Sequence, residues 1–284
     1  MKKYIAILLA LVMMLGLLAG CQSEQPANTT ENKGANQATE NATQGADETT
    51  GEAAAAFTTV TEGKLTMATN AFFPPYEYYE GEQIVGIDAE IAAAIAEKLG
   101  LELVIDNMEF GSIITAVSTG AADFGLAGMT VTEDRLKEIN FSISYANGVQ
   151  AVIVKEGSAI THVDDLYAED ATYKIGVQLG TTGDIYASDE FGDRVTPYSN
   201  GNEAVLALQS GDVDCVIIDN EPAKAFAAAN EGLVVLDSTY ADEDYAACVA
   251  KGNDALLKAI DQAIEELIMD GTIDSIIAKY IPAN

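Results

Sequence analysis

Between residues 57 and 280, short apolar runs alternate with amphipathic stretches, and this rhythm narrows the fold more than any other feature of the sequence. Strand-like runs are expected at 64–69, 101–105, 122–127, 148–154, 173–177, 213–218 and 245–250. Helical spacing is expected at 88–99, 112–119, 181–189, 203–209, 221–229, 253–269 and 272–280. The first of these helices carries Ile91, Ile95 and Leu99 on one face, opens with Asp88 as a capping-type residue and stops at Gly100. Strands and helices alternating at this length require βαβ crossovers, hence an α/β chain with a largely parallel sheet. The pattern Gly-x-x-Asp-apolar occurs twice, as Gly120-Ala121-Ala122-Asp123-Phe124 and Gly211-Asp212-Val213-Asp214-Cys215. Each follows a short helix and opens a strand, which reads as two similar halves, although helix–Gly–strand turns recur in any α/β protein.

Composition removes several function classes. With 14 Lys and Arg against 45 Asp and Glu, a net charge of -31 leaves no basic face for nucleic acid. A 49% hydrophobic share argues for a packed body rather than an acidic disordered chain. A single histidine, His162, leaves no zinc constellation, so neither metal nor cofactor is expected.

The N-terminus reads as an address. Lys2 and Lys3 precede an apolar run over 5–18 that is short for a membrane span, which marks residues 1–20 as a secretory signal. Its ending, Leu18-Ala19-Gly20-Cys21, resembles the lipobox of bacterial lipoproteins. That resemblance implies that Cys21 is the first mature residue, carries the lipid (palmitate) and anchors the protein outside the cytoplasm. An ordinary secretory or anchor segment with an incidental cysteine is the alternative. Residues 21–56, without an aromatic side chain, are expected to form a disordered tether. Coil statistics give it a reach of about 30 Å.

In open α/β sheets ligands bind beyond the carboxyl ends of the strands. That rule selects Thr69-Asn70, Ala127 to Thr130 (through Gly128 and Met129), Gln178 to Gly183, and Asp219-Asn220. Arg135 is one of only two arginines and follows Gly128, Met129 and Thr130 closely enough to hold a carboxylate by paired charge-assisted hydrogen bonds. An exposed ion pair with Glu133, Asp134 or Glu138 is the competing use. The loop Gly180-Thr181-Thr182-Gly183 precedes a helix whose free amides favour anions. Asp219 is placed either to meet an ammonium group or to cap the helix that follows. The segment NAFFPPYEY, residues 70–78, reads as a stiff aromatic loop. Phe73 and Phe110 are the aromatic residues suited to wall a ligand.

The runs KLTMATNAFFPPYEYYEGEQIVGIDAEIAAAIAEKLG, MEFGSIITAVSTGAADFGLAGMTVTEDRLKEINFS and IGVQLGTTGD resemble the polar-amino-acid family of extracellular solute-binding proteins. These are the capture components of bacterial amino-acid ABC importers. The resemblance implies a two-lobed periplasmic-binding-protein-like α/β fold, with mostly parallel sheets flanked by helices and two hinge crossings. Lobe 1 would comprise 57–144 and 249–284, lobe 2 150–243, and the crossings 145–149 and 244–248. It further implies that Arg135, Thr130 and backbone around Gly128 and Met129 hold the ligand's α-carboxylate, with Thr181 and Thr182 adding contacts from lobe 2. Asp219 would hold the α-amino group. The side chain would lie between Phe73 and Phe110, near Asn70 and Gln178. Asn70 stands where some relatives place an aspartate, so the expected ligand is a polar amino acid, uncharged or basic.

The expected role is capture by domain closure and delivery to an ABC permease with its ATPase, by a monomer without enzymatic activity. A tethered amino-acid sensor is the alternative. A dehydratase on the same scaffold is disfavoured because His162 lies far in sequence from the strand ends. Cys215 and Cys248 are expected to be free, buried thiols, since they sit too far apart to bridge.

Overall fold

The computed structural model describes residues 57–281; the signal segment, Cys21 and the tether lie outside the described residues. Strand β1 (Lys64–Thr69) leads into a small antiparallel sheet of β2 (Phe72–Phe73), β3 (Glu77–Glu80) and β4 (Gln83–Val85). Helix α1 (Ile87–Leu99) then returns the chain to β5 (Glu102–Asn107), followed by α2 (Phe110–Ser118), β6 (Phe124–Gly125) and α3 (Arg135–Glu138). A long strand, β7 (Ile139–Lys155), carries the chain into its second half. That half runs through β8 (Ile175–Gln178), α4 (Thr182–Phe191), β9 (Val195–Tyr198), α5 (Gly201–Ser210), β10 (Cys215–Asp219), α6 (Asn220–Ala229) and β11 (Leu233–Val235). The chain returns along β12 (Ala241–Ala250) and closes with α7 (Asp254–Met269) and α8 (Thr272–Tyr280).

The large sheet has the order β5-β1-β6-β12-β7-β10-β8-β9, with β11 beside β7. In the first half β1 lies parallel between β5 and β6; in the second β8 lies parallel between β9 and β10. The two trios are joined by β7 and β12, which pair antiparallel with each other, β7 on β10 and β12 on β6. This is a two-lobed α/β fold with two crossing strands. The repeated aspartates explain the likeness of the halves. Asp123 accepts the Thr66 amide of β1 at 2.7 Å, and Asp214 accepts the Lys174 amide just before β8 at 2.7 Å. Each carboxylate ties the turn after a helix to the strand alongside, so the same local chemistry builds both trios.

Packing follows the helical periodicity. Leu256, Ile260, Ile264 and Leu267 form the buried stripe of α7. Each such side chain contributes about 1.5–3 kcal/mol when removed from water. Tyr245 is fully buried where β7 and β12 cross, with its ring 5.3 Å edge-on from Tyr76. Gly148 faces it so closely that an added Cβ would come within 2.2 Å of the Tyr245 ring.

Several local expectations are corrected. Asp88 does not cap α1, whose N-cap is Gly86; its carboxylate turns inward and accepts hydrogen bonds from the Gly128 amide and the Tyr145 hydroxyl, both at 2.8 Å. Segment 70–78 is not simply a loop but forms β2 and the start of β3. Strand β6 is two residues long rather than six, and β7 is seventeen rather than seven. The extra length of β7 crosses from one lobe to the other, a demand of tertiary structure that local apolar patterning does not register. Cys215 and Cys248 are free and buried, on β10 and β12 respectively.

Candidate functional site

The carboxyl ends of β1, β6, β8 and β10 converge on one cavity. Its first-lobe wall is built by Asn70, Phe73, Phe110, Gly128, Thr130 and Arg135. Gln178, Thr181, Thr182 and Asp219 form the facing wall. Ten residues selected from the sequence thus come together. Met129 does not line the cavity: its side chain is fully buried in the core cluster that includes Ile113 and Val117, and its carbonyl accepts the Ala246 amide. Ala127, selected with the strand ends, also lines the cavity; Glu77 does too and was not anticipated.

Local chemistry sets each wall. Gly128 has φ +51°, and a Cβ there would lie 2.7 Å from Phe73 Cε1, so only glycine lets that ring close on the loop. Arg135 is 6% exposed, donates 2.7 Å to the Thr130 carbonyl and lies 5.3 Å from the Phe110 ring centre. It does not pair with Glu133, Asp134 or Glu138; burial pulls its pKa down, partly countered by the nearby Glu243. Arg135 also donates to the Gly180 carbonyl at 3.1 Å, and Gln178 donates to Asn70 Oδ1 at 3.0 Å. These bonds join the two walls, so the lobes are closed on each other.

The opposing loop uses its own residues first. Thr181 caps α4 by accepting the Asp184 amide and donates its hydroxyl to the Gln178 carbonyl at 2.8 Å. Asn70 is committed as well, donating to the Met108 carbonyl at 2.7 Å while its oxygen receives Gln178. Its amide therefore has little left with which to discriminate ligands.

Asp219 does not cap α6 with its side chain. Its Oδ2 accepts from Gln150 Nε2 at 2.7 Å, and the same amide nitrogen reaches Glu243 at 2.9 Å. Burial and the neighbouring Glu243 charge push the Asp219 pKa well up, against a lowering by Gln150. Oδ1 of Asp219 finds no protein partner. A buried carboxylate with a free oxygen, set across a cavity from a buried guanidinium, matches the two charged ends of a zwitterion. Gln150 and Glu243 were missed because nothing local marks them: they are brought to Asp219 by the pairing of β7 with β10 and β12.

No group of three or more potential ligands able to hold a metal exists among the described residues. His162 is exposed and caps the short 3-10 turn Val163–Tyr167, accepting the Asp164 amide at 3.2 Å. No helix among the described residues is long and apolar enough to cross a membrane.

The comparisons with known proteins agree with this geometry. The family described as bacterial extracellular solute-binding proteins, family 3, matches residues 65–283. The arginine-binding extracellular protein ArtP of Bacillus subtilis (strain 168) is 31% identical over 222 residues, covering 76% of this chain and 86% of its own. A solved structure of an ancestral arginine-binding protein bound to glutamine is 37% identical, with a TM-score of 0.74, covering 78% of this chain and 100% of that one. An amino acid ABC transporter substrate-binding protein from Streptococcus pneumoniae bound to L-arginine is 32% identical, with a TM-score of 0.71 over 77% of this chain and 94% of that one. The family and these neighbours are binding proteins rather than enzymes. With this match across most of its length, the chain belongs to the bacterial extracellular solute-binding proteins of family 3, whose role here is the capture of amino acids outside the cytoplasm for delivery to an ABC importer.

Proposed function

We propose that the cavity takes a polar amino acid, uncharged or basic, as a zwitterion clamped between Arg135 and Asp219. The observation that carries this reading is that these two buried groups, a guanidinium and a carboxyl with a free oxygen, line one cavity from opposite lobes. Arg135, with Thr130 and backbone near Gly128, holds the α-carboxylate; the first-turn amides of α4 at Thr182 and Gly183 add donors from the other side. Asp219 holds the α-ammonium through Oδ1. Phe73 and Phe110 wall the side chain, and Gln178 offers it an amide.

Lobe 1 comprises 57–144 and 249–284, lobe 2 150–243, and the hinge 145–149 with 244–248. Ligand meets the Arg135 wall first; Asp219 and the Thr181–Thr182 loop engage on closure, and contacts present only in the closed form shift the equilibrium toward it. The closed monomer then docks on its permease, held at the membrane by lipid on Cys21 at the end of the tether. A ligand at a hundred times its Kd adds about 2.7 kcal/mol. For a body of this size that raises the unfolding midpoint by roughly 5–10 °C. The test is a thermal-shift panel of the twenty common amino acids on refolded protein, read by dye because the chain has no tryptophan. A shift with one or a few polar amino acids is expected, and no shift with any of them overturns the reading.

A further inference from the structure

At Asp219 the structure brings together two acids where an ammonium group calls for one. Asp219 on β10 and Glu243 on β12 are each 6% exposed, and Gln150 on β7 stands between them. Strand pairing puts the three on one face: Gln150 lies opposite Asp219 on one side and Ala241 on the other, and Glu243 follows Ala241 by two residues. The Gln150 amide commits its two hydrogens to Asp219 Oδ2 at 2.7 Å and Glu243 Oε2 at 2.9 Å. Asp219 Oδ1 and Glu243 Oε1 find no donor in the protein. The two carboxyls also hydrogen-bond each other, and a bond between two such acceptors exists only with a proton in it.

Electrostatics decide which acid carries that proton. Arg135 of α3 feels Glu243 more strongly than any other acid, Asp219 included, so the charge stays on Glu243. Burial first and the Glu243 charge second favour the neutral form of Asp219, against a lowering by Gln150. The other groups nearby supply no counter-charge. Tyr186 of α4, Cys248 of β12, and Tyr76 and Glu77 of the β2–β3 hairpin are neutral or acidic. Asp242 and Asp244 on β12 are exposed, and Glu221 of α6 is paired with Lys224 at 2.7 Å.

We infer that Glu243 is a positioning residue that keeps a proton on Asp219 until the ligand's ammonium group arrives, and that capture of the amino acid expels this proton to solvent. The inference rests on the amino-acid reading above and adds a residue and a proton to it. The ammonium donates to Oδ1, the carboxyl O–H bond breaks, and the proton leaves with water; the incoming positive charge takes its place between two carboxylates. By linkage, acidification opposes capture.

The test is calorimetric titration at pH 6.5 in two buffers of different ionisation enthalpy, which counts the protons released. The probes are L-glutamine and L-arginine, one uncharged and one basic, and any other amino acid that shifts the thermal panel. Glu243→Gln keeps the side-chain length and a hydrogen-bond donor for Asp219, and ligand-free unfolding checks its fold. The wild type is expected to release at least about half a proton per amino acid bound, and to bind at least about tenfold more tightly at pH 7.5 than at pH 5.5. In Glu243→Gln the release should fall below about 0.2 protons and the pH dependence below about threefold. Binding by the wild type without proton release overturns the inference without any variant and leaves amino-acid capture standing. Unchanged release in Glu243→Gln overturns it too, since the proton then comes from another acid. Failure of the wild type to bind any of the twenty amino acids overturns both readings.

Discussion

Replacing Arg135 by alanine tests the carboxylate assignment most directly. Its guanidinium is buried, held to the Thr130 carbonyl at 2.7 Å and to the Gly180 carbonyl of the opposite lobe at 3.1 Å. A ligand carboxylate deprived of this partner loses a desolvated, charge-assisted contact of about 2–5 kcal/mol. That corresponds to a roughly 30-fold to several-thousand-fold weaker Kd at 1.4 kcal/mol per decade. The lost bond to Gly180 acts in the same direction, because it holds the lobes together; hydrogen bonds from charged donors contribute about 1.5–3 kcal/mol. Arg135→Lys separates the two effects: it keeps the charge but not the fork that spans a carboxylate and a carbonyl at once, so its affinity should fall between. Titration calorimetry with the best ligand of the thermal-shift panel gives the Kd values, and ligand-free unfolding shows whether each variant still folds. Arg135→Ala binding within threefold of wild type would refute the assignment, whatever its effect on stability.

Other consequences follow from the buried acids and thiols. Gln150→Leu removes the one donor shared by Asp219 and Glu243. Amino-acid binding should weaken about tenfold near pH 6, and less at pH 8, where Asp219 ionises more readily; equal affinity to wild type at both pH values would show that Gln150 has no part in positioning Asp219. Burial raises the Asp88 pKa to about 6, so its neutral form is favoured in the fold. This stabilisation is full below the unfolded value near 3.9 and is lost as pH rises through 6, about 3 kcal/mol at most. Burial pushes Glu77 and Asp219 the same way, so the ligand-free melting temperature should rise from pH 7 to pH 5, with a smaller rise in Asp88→Asn; a fall over that interval contradicts the burial of these groups. Burial likewise pushes the Cys215 and Cys248 thiols up to about 12, so both should resist a thiol reagent in native protein at pH 8 and react once unfolded; rapid native labelling of either would contradict its placement.

The lobes and most of the cavity were legible because they are local. Helix and strand periods, the glycine stops and the repeated aspartate turns are written over a few residues each, and the ends of parallel strands fall where ligands bind in such sheets. Arg135 and Asp219 stood out as a rare cation and a strand-end acid. The sequence by itself determined the plan of two similar α/β halves, the family and the two groups that match a zwitterion. Tertiary structure alone decided that Glu77, Asp88 and Glu243 are different from the other acids in a chain with 45 of them. Nothing in the identity of a carboxylate tells whether water surrounds it. Burial is set by what packs over it: the β2–β3 hairpin carries Glu77 beneath the cavity, α1 turns Asp88 to the Gly128 amide, and β12 sets Glu243 beside Asp219 through Gln150. The contacts that place Asp88 and Glu243 span 40 and 93 residues of sequence, beyond the reach of any local pattern, and they shape the charge of the site.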